Sequence, residues 1–242
     1  MKNLLSIAAL SAVMAIGASA HAAQFVVNGD FTTLSNGVGQ FDTNTTATGW
    51  SGNGGYNFVF SKADQPSPGI YGGLTLWDAA NGGGNTWNGL AAGSGNFAAL
   101  DGAFRTAALT QTITGLTAGK AYTLSFNYAF GQQQGFDGPT VQHLSASFGN
   151  GGCCGTSSDF NVSDHGFTGW QFVSFKVIAD ASTDVISFLA YGDKPVPPFA
   201  LISNVSLTGA VPEPATWTMM ILGIGGLGAL ARRRRSVATA AA

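Results

Sequence analysis

The chain has 242 residues, of which 45% are hydrophobic and only 9% are charged, and it contains 35 glycines. Between residues 24 and 210, five Lys and Arg residues stand against eleven aspartates and no glutamate, a net charge of −6. Phosphate binding needs a basic face, so this balance excludes a nucleic-acid-binding protein. Few charges and many glycines are typical of an extracellular β protein.

The N-terminus has the layout of a secretory signal peptide. Lys2 precedes an apolar stretch at residues 4–16, and small residues follow at 18–22. The apolar stretch is shorter than the about 20 residues that a membrane-spanning helix needs. A positive start, a short apolar stretch and a small-residue exit are the features that signal peptidase recognises, so residues 1–22 are predicted to be removed on export.

Residues 24–210 show the alternation of β-strands. The pattern is clearest at 121–130, where every second residue is large and apolar: Tyr122, Leu124, Phe126, Tyr128 and Phe130. Such a strand is expected to have one face in the core and the other open.

Further strands are predicted at 109–113, 173–177, 185–191 and 199–207. The first is expected to be the hairpin partner of 121–130, through the glycine-bearing turn at 115–120. Many short strands without helical periodicity predict an all-β domain over 24–210, built as an antiparallel jelly-roll β-sandwich.

Tryptophans near a glycine-rich loop are the candidate ligand-binding residues. The loop at 81–95 is not a phosphate site, because no Lys-Ser/Thr pair or helix accompanies it. Trp77, the adjacent Asp78, and Trp87 lie in or beside this loop. Aromatic rings in polar loops can stack on sugars, although core packing remains open for both tryptophans. Trp50 and Trp170 are expected to be core residues.

Catalytic residues are not predicted. Beyond the signal peptide only His143 and His165 could serve as imidazole bases, and no Gly-x-Ser-x-Gly elbow occurs. Many of the aspartates lie beside glycines, as turn residues do, rather than forming an evident pair for glycoside hydrolysis. A noncatalytic protein is therefore favoured over a secreted polysaccharide-active hydrolase.

The only cysteines, Cys153 and Cys154, are adjacent. An exported protein meets an oxidising compartment, which favours disulfides. A bridge between neighbours is strained, because consecutive Cα atoms lie about 3.8 Å apart, closer than disulfides prefer. A vicinal disulfide, two intermolecular bridges and free thiols all remain open.

The C-terminus combines a proline-rich motif, an apolar stretch and a basic cluster. The uncharged stretch at 217–231 has fifteen residues. As a helix it would rise about 22 Å, less than the about 30 Å of a bilayer core, so it is a marginal transmembrane span. Positive residues stay cytoplasmic, so Lys2 and the C-terminal arginines place both chain ends inside and the domain outside.

This C-terminus resembles a PEP-CTERM sorting signal at 211–235, followed by a short tail at 236–242. The resemblance implies that an exosortase, a membrane enzyme of bacteria that make exopolysaccharide, processes the chain. It implies a transient inner-membrane anchor, then delivery to the cell surface or to an extracellular biofilm matrix. The residues assigned to sorting are Pro212, Glu213, Pro214, Trp217, Arg232, Arg233, Arg234 and Arg235.

The middle of the chain resembles the galactose-binding-like jelly-roll domains attached to such tails. Six short stretches carry the resemblance, at 28–31, 48–50, 100–102, 131–136, 165–170 and 197–201. That fold is shared by many carbohydrate-binding modules, so the resemblance implies exopolysaccharide as a partner by analogy only.

A structural calcium ion is a further implication of this resemblance. In related domains a carboxylate commonly precedes Val-Ser-Leu, whereas this sequence has Asn204-Val205-Ser206-Leu207. Calcium prefers anionic oxygens, so the change weakens the site. Asp30 and Asn204 remain the candidate ligands, and a simple turn at Asp30 is the alternative.

The sequence thus favours a noncatalytic exported protein that associates with exopolysaccharide. The main alternative is a self-associating structural matrix protein that binds no sugar.

Overall fold

Strands make up all the regular secondary structure in the residues that the computed structural model describes, which are 22–84, 95–150, 155, 157–193 and 195–209. Residues 1–21 of the predicted signal peptide, Trp87, Cys153, Cys154 and the sorting segment lie outside these ranges. Within the described part of the chain, no helix has the length and apolar character of a membrane span.

The strands are β1 (Gly39–Gln40), β2 (Phe58–Phe60), β3 (Ser67–Gly69), β4 (Gly72–Leu74), β5 (Phe97–Asp101), β6 (Leu109–Thr114), β7 (Ala121–Gln132), β8 (Thr140–Phe148), β9 (Phe160–Val162), β10 (Gln171–Ile178), β11 (Thr183–Gly192) and β12 (Pro198–Gly209).

The topology is that of a jelly roll. One sheet has the order β1-β2-β5-β12-β7-β10, the other β6-β11-β8-β9, and β3 and β4 form a separate hairpin. Every pair of neighbouring strands is antiparallel. Strands β5–β12 divide four to each sheet, in the orders β5-β12-β7-β10 and β6-β11-β8-β9. This is the strand order of an eight-stranded jelly roll, which confirms the predicted fold class.

All five predicted strands are present as β6, β7, β10, β11 and β12. β8 was not predicted from the sequence, although buried and more exposed residues alternate along its whole length. β5, whose five residues are all buried, was not predicted either. A strand buried on both faces has no period-two pattern to recognise.

The predicted hairpin of β6 with β7 is wrong. β6 pairs with β11, with Ile113 opposite Asp184, and it belongs to the other sheet from β7. The turn at 115–120 therefore carries the chain across the sandwich. Leu109 and Ile113 pack in the same core as Leu124, because the two strands bury their apolar faces against each other across the interior.

The main core lies between the two sheets and contains Trp50, which is 5% exposed. Its indole nitrogen donates to the carbonyl oxygens of Val27 at 3.2 Å and Asn28 at 3.1 Å. The expectation that Trp50 is a core residue is confirmed, and its polar atom is satisfied within the fold.

A second core covers part of the outer face of the six-stranded sheet. Phe58, Phe60, Phe97 and Phe199 are fully buried there, and Trp170 packs against them. The segment that carries the β3–β4 hairpin supplies further apolar contacts. The strand at 121–130 was expected to have an open outer face. This is confirmed at Thr123, which is exposed, and wrong at Ala129, which is buried in the second core.

We expect the second core to contribute as strongly to stability as an ordinary protein interior. Phe60 stacks on Phe97 with ring centroids 5.5 Å apart. Phe60→Ala should lower the free energy of unfolding by about 3–5 kcal/mol because it leaves a cavity. Phe104→Ala, at a ring that is 57% exposed, should cost less than about 1 kcal/mol. Urea unfolding measures both, and equal losses would contradict this role for the second core.

Candidate functional site

Loops at one end of the jelly roll surround a cleft of about 390 Å³. The pairings of Asp101 with Phe199 and of Gln132 with Pro198 bring the ends of β5 and β7 beside the start of β12. The loops that leave β5 and β7 form two walls of the cleft, and the prolines before β12 form a third.

Four aromatic rings line the cleft, and three of them face solvent. Tyr71 is 67% exposed, Phe104 57% and Phe136 41%. Tyr56 is buried beneath them, with ring centroids 5.8 Å from both Tyr71 and Phe104. Neighbouring exposed rings of this size are costly in water, and they are typical of a ligand-binding surface.

The Asp101 carboxylate fixes the loop that carries Phe104. Asp101 is 1% exposed. Its Oδ1 accepts hydrogen bonds from the backbone N–H groups of Ala103 at 2.8 Å and Phe104 at 3.0 Å. Its Oδ2 accepts from the N–H of Arg105 at 2.9 Å. All three bonds hold the loop, so the carboxylate acts as a structural anchor of the cleft.

The opposite wall, residues 133–138, is held by side chains from three directions. The buried Gln132 amide donates to the carbonyl of Gly138 at 3.0 Å. The Thr75 hydroxyl donates to the Gln134 side chain at 2.6 Å. The Trp77 indole N–H donates to the carbonyl of Phe136 at 3.0 Å. The wall is therefore fixed before any ligand arrives.

Gln133 offers the cleft a free amide. Gln133 is one of the residues that line the cleft, and within the described residues its side chain makes no hydrogen bond. An amide supplies both donors and an acceptor, which suits a ligand that carries hydroxyl groups.

The predicted sugar-stacking residue Trp77 lies on the far side of this wall. Its ring stacks on the imidazole of His165, with centroids 3.8 Å apart and planes at 26°. Asp78 is 4% exposed, and its Oδ1 accepts from the N–H of Ala80 at 2.7 Å, as in a turn. Ligand binding by Trp77, Asp78 and Trp87 stays a prediction.

His165 lies between two carboxylates. Its Nε2 is 2.7 Å from an oxygen of Asp137 and 3.4 Å from an oxygen of Asp164. These three atoms could hold a divalent cation. In the described part of the chain, no serine or threonine hydroxyl is hydrogen-bonded to His143 or His165. Within these residues, neither histidine is therefore paired with a hydroxyl that it could activate as a nucleophile.

The predicted calcium ligands lie on neighbouring segments. The N–H of Val205, next to Asn204, donates to the carbonyl of Gly29, next to Asp30, at 2.9 Å. The Asp30 side chain accepts from the hydroxyl of Thr32 at 3.0 Å, which is a turn contact. Calcium binding by Asp30 and Asn204 stays a prediction.

The residues that line the cleft were not predicted as a site, although the sequence carries a signal for some of them. Three of the six stretches that carried the resemblance, at 100–102, 131–136 and 197–201, supply cleft residues, among them Asp101, Gln133 and Phe136. Tyr71 and Phe104 lie outside those stretches, and only the tertiary structure places them at the cleft.

Comparisons with known proteins bear on the C-terminus and on the fold. Residues 210–235 match the family model described as the PEP-CTERM protein-sorting motif. The chain carries a PEP-CTERM sorting motif. A comparison with curated proteins gave no match.

Solved structures similar to this chain have low identity to it. TmCBM61 in complex with beta-1,4-galactotriose is 15% identical, with a TM-score of 0.40, covering 78% of this chain and 99% of that one. The CBM22-2 xylan-binding domain from Paenibacillus barcinonensis Xyn10C is 11% identical, with a TM-score of 0.32, covering 67% and 92%. A carbohydrate-binding module specific for non-crystalline cellulose, CBM28, is 12% identical, with a TM-score of 0.33, covering 68% and 89%.

The buried environment of the cleft makes stability pH-dependent in alkali. Burial, and then the nearby Asp101 and Tyr71, raise the pKa of Tyr56 above its ordinary 10.0. Because the fold favours the neutral Tyr56 hydroxyl, this group contributes to stability. The contribution is complete below pH 10, the pKa in the unfolded chain, and is lost as the pH rises through the raised pKa of the folded state. The free energy of unfolding should therefore fall above about pH 10.

Asp101→Asn should change both stability and this pH dependence. Loss of a carboxylate that accepts three N–H groups should cost about 1–3 kcal/mol at neutral pH. The alkaline fall should become less steep but persist, because burial remains. Urea unfolding from neutral to alkaline pH measures both. Asp159→Asn, at a side chain that is 70% exposed, is the control, and an Asp101→Asn profile identical to this control would contradict the anchoring role.

Proposed function

We propose that this chain is an exported, noncatalytic protein whose jelly-roll domain binds a neutral polysaccharide in the aromatic cleft, and that an exosortase processes its C-terminal motif. The observation that carries the binding proposal is the group of three exposed rings, Tyr71, Phe104 and Phe136, around a cleft with fixed walls.

The chemistry of the cleft suits a sugar. A pyranose ring has an apolar face of C–H groups and an edge of hydroxyls. The exposed rings can stack on the face, while the Gln133 amide can bond the edge. The hydrogen bonds of Asp101 and Gln132 hold both walls, which lowers the entropy cost of binding.

Charge favours a neutral polysaccharide over an anionic one. The domain has a net charge of −6 over residues 24–210. Among the described residues that line the cleft, the one charged side chain is Asp101, an anion. An anionic polysaccharide would gain no counter-charge there and would be repelled by the domain.

The same carboxylate favours binding over hydrolysis. Glycoside hydrolysis ordinarily needs two carboxyl groups on either side of the scissile bond. The described cleft lining offers only Asp101, and its oxygens accept three backbone N–H groups. A carboxylate used in this way is a structural group rather than a general acid.

We expect Tyr71→Ala and Phe104→Ala each to weaken polysaccharide binding about tenfold, since stacking on an aromatic ring contributes about 1–1.5 kcal/mol. The measurement is a binding titration with exopolysaccharide from the producing cell, using protein purified from cells that express the full chain. Tyr191→Ala is the control, because this ring is 41% exposed, stacks on His143 and is not among the described residues that line the cleft. Wild-type affinity in both cleft variants would contradict the site.

Repeating this titration in EDTA tests the predicted calcium ion separately. If Asp30 and Asn204 hold the ion, EDTA should lower the affinity or the stability, and added calcium should reverse this loss. Asp30→Asn should reproduce the loss without EDTA. No effect of EDTA would remove calcium from the account and leave the cleft proposal untouched.

The sorting proposal predicts that Glu213→Ala leaves an unprocessed form in the inner membrane, because the exosortase would read the Pro-Glu-Pro motif. Cell fractionation and the apparent mass of the chain measure this. Ser236→Ala, just beyond the motif, should be processed normally. Normal release of the Glu213→Ala chain would contradict exosortase recognition.

A further inference from the structure

The six-stranded sheet ends in a long edge strand. β10 pairs with β7 through all eight of its residues, Gln171–Ile178. No strand of the described chain lies along its other side. β1, at the opposite edge of this sheet, has only two residues. A long edge with free backbone groups is a template for pairing with another chain, and proteins ordinarily shorten or cover such edges.

Both faces of β10 present apolar side chains that this chain alone does not fully cover. On the outer face, Phe172 is 66% exposed and Ile178 60%. On the inner face, Val173 and Phe175 are only partly buried, and a gap of about 110 Å³ between the sheets is lined by both. Within the described part of the chain, no segment therefore covers this edge fully on either face.

We propose that β10 of a second copy of the chain covers this edge. The two β10 strands pair antiparallel about a two-fold axis, so that two six-stranded sheets become one continuous sheet. Such an interface is isologous, which is the commonest form of association between identical chains.

The sequence of β10 complements itself in one register. With Phe175 on the two-fold axis, Phe172 lies opposite Ile178 of the second copy, and Ser174 lies opposite its Lys176. On the inner face, Val173 lies opposite Val177. Apolar residues thus meet apolar residues on both faces, and the single charge of the strand meets a hydroxyl.

The neighbouring register toward the C-terminus is disfavoured. A two-fold axis through Lys176 would place the two lysines directly opposite each other, and like charges in that position destabilise a sheet. Side-chain alternation also requires inner residues to face inner residues, which excludes registers displaced by a single residue.

The pairing leaves the aromatic cleft free, since the cleft is formed at the ends of β5, β7 and β12. The two-fold axis would place the two clefts at opposite ends of the joined sheet, so that a dimer could hold two polysaccharide chains. This consequence rests on the proposed function, whereas the pairing does not.

Sedimentation velocity over a concentration series tests the pairing. The protein is purified from cells that express the full chain and is kept in reductant, so that Cys153 and Cys154 cannot form disulfides between copies. The wild type should show a reversible monomer–dimer equilibrium. Ser174→Lys places a lysine opposite Lys176 twice in each dimer, which should weaken association about tenfold or more. Ser182→Lys adds the same charge at an exposed residue outside β10 and should leave the equilibrium unchanged.

A charge-swapped variant tests the register. Ser174→Lys combined with Lys176→Glu places opposite charges across the axis and should restore the dimer. A wild type that remains monomeric, a Ser174→Lys protein that dimerises like the wild type, or a double variant that stays monomeric would overturn the proposal. Polysaccharide affinity at a single cleft is expected to stay unchanged in all these variants, so failure of the pairing is distinct from failure of the cleft.

Discussion

The need to bury both faces of one sheet determines much of this structure. β2, β5 and β12 carry large apolar residues on both sides, and Phe58, Phe97 and Phe199 would face water if the jelly roll ended at its two sheets. The segment with the β3–β4 hairpin lies against this face and is fixed by a hydrogen bond from the Ser67 hydroxyl to the carbonyl of Val59 at 2.8 Å. The hairpin places Tyr71 beside Phe104, so burial of the second core also forms the cleft.

Buried polar groups then determine the shape of the cleft. Asp101 and Gln132 are both inaccessible to solvent, at 1% and 0% exposure, and each uses its side chain to hold the main chain of an adjacent wall. Breaking the hydrogen bonds of either side chain would leave buried donors or acceptors unpaired, so the walls have one stable arrangement. Rings carried on such walls can be exposed and still be well positioned.

The sequence was sufficient to predict β7, where large apolar residues alternate, but not β5, which is buried along its whole length. It was not sufficient for β8 either, because polar Thr140 and Gln142 are buried there while Val141 is exposed. The alternation from Tyr122 to Phe130 identified β7, and the jelly-roll class followed from many such strands. The partner of β6 could not be predicted, because a glycine-bearing turn serves equally for a hairpin and for a crossing between sheets. The cleft could not be predicted either, since Tyr56, Tyr71, Phe104 and Phe136 are distant in sequence and share no spacing.

The proposed features divide the tasks along one exported chain. In the proposed account, the C-terminal motif would direct the protein to its destination, the cleft would bind a neutral sugar on a rigid aromatic surface, and the β10 edge would pair with a second copy. The first of these lies outside the described residues and is independent of the other two. The cleft and the edge involve different strands, so each can be altered without the other.

The central claim is that polysaccharide binds between the two walls of the cleft. Hydrogen–deuterium exchange with and without exopolysaccharide tests it most directly, because it reports backbone protection along the chain. The account predicts slower exchange on binding at residues 101–105 and 133–138. Binding that protects residues 81–95 instead, or that leaves both walls unchanged, would contradict it.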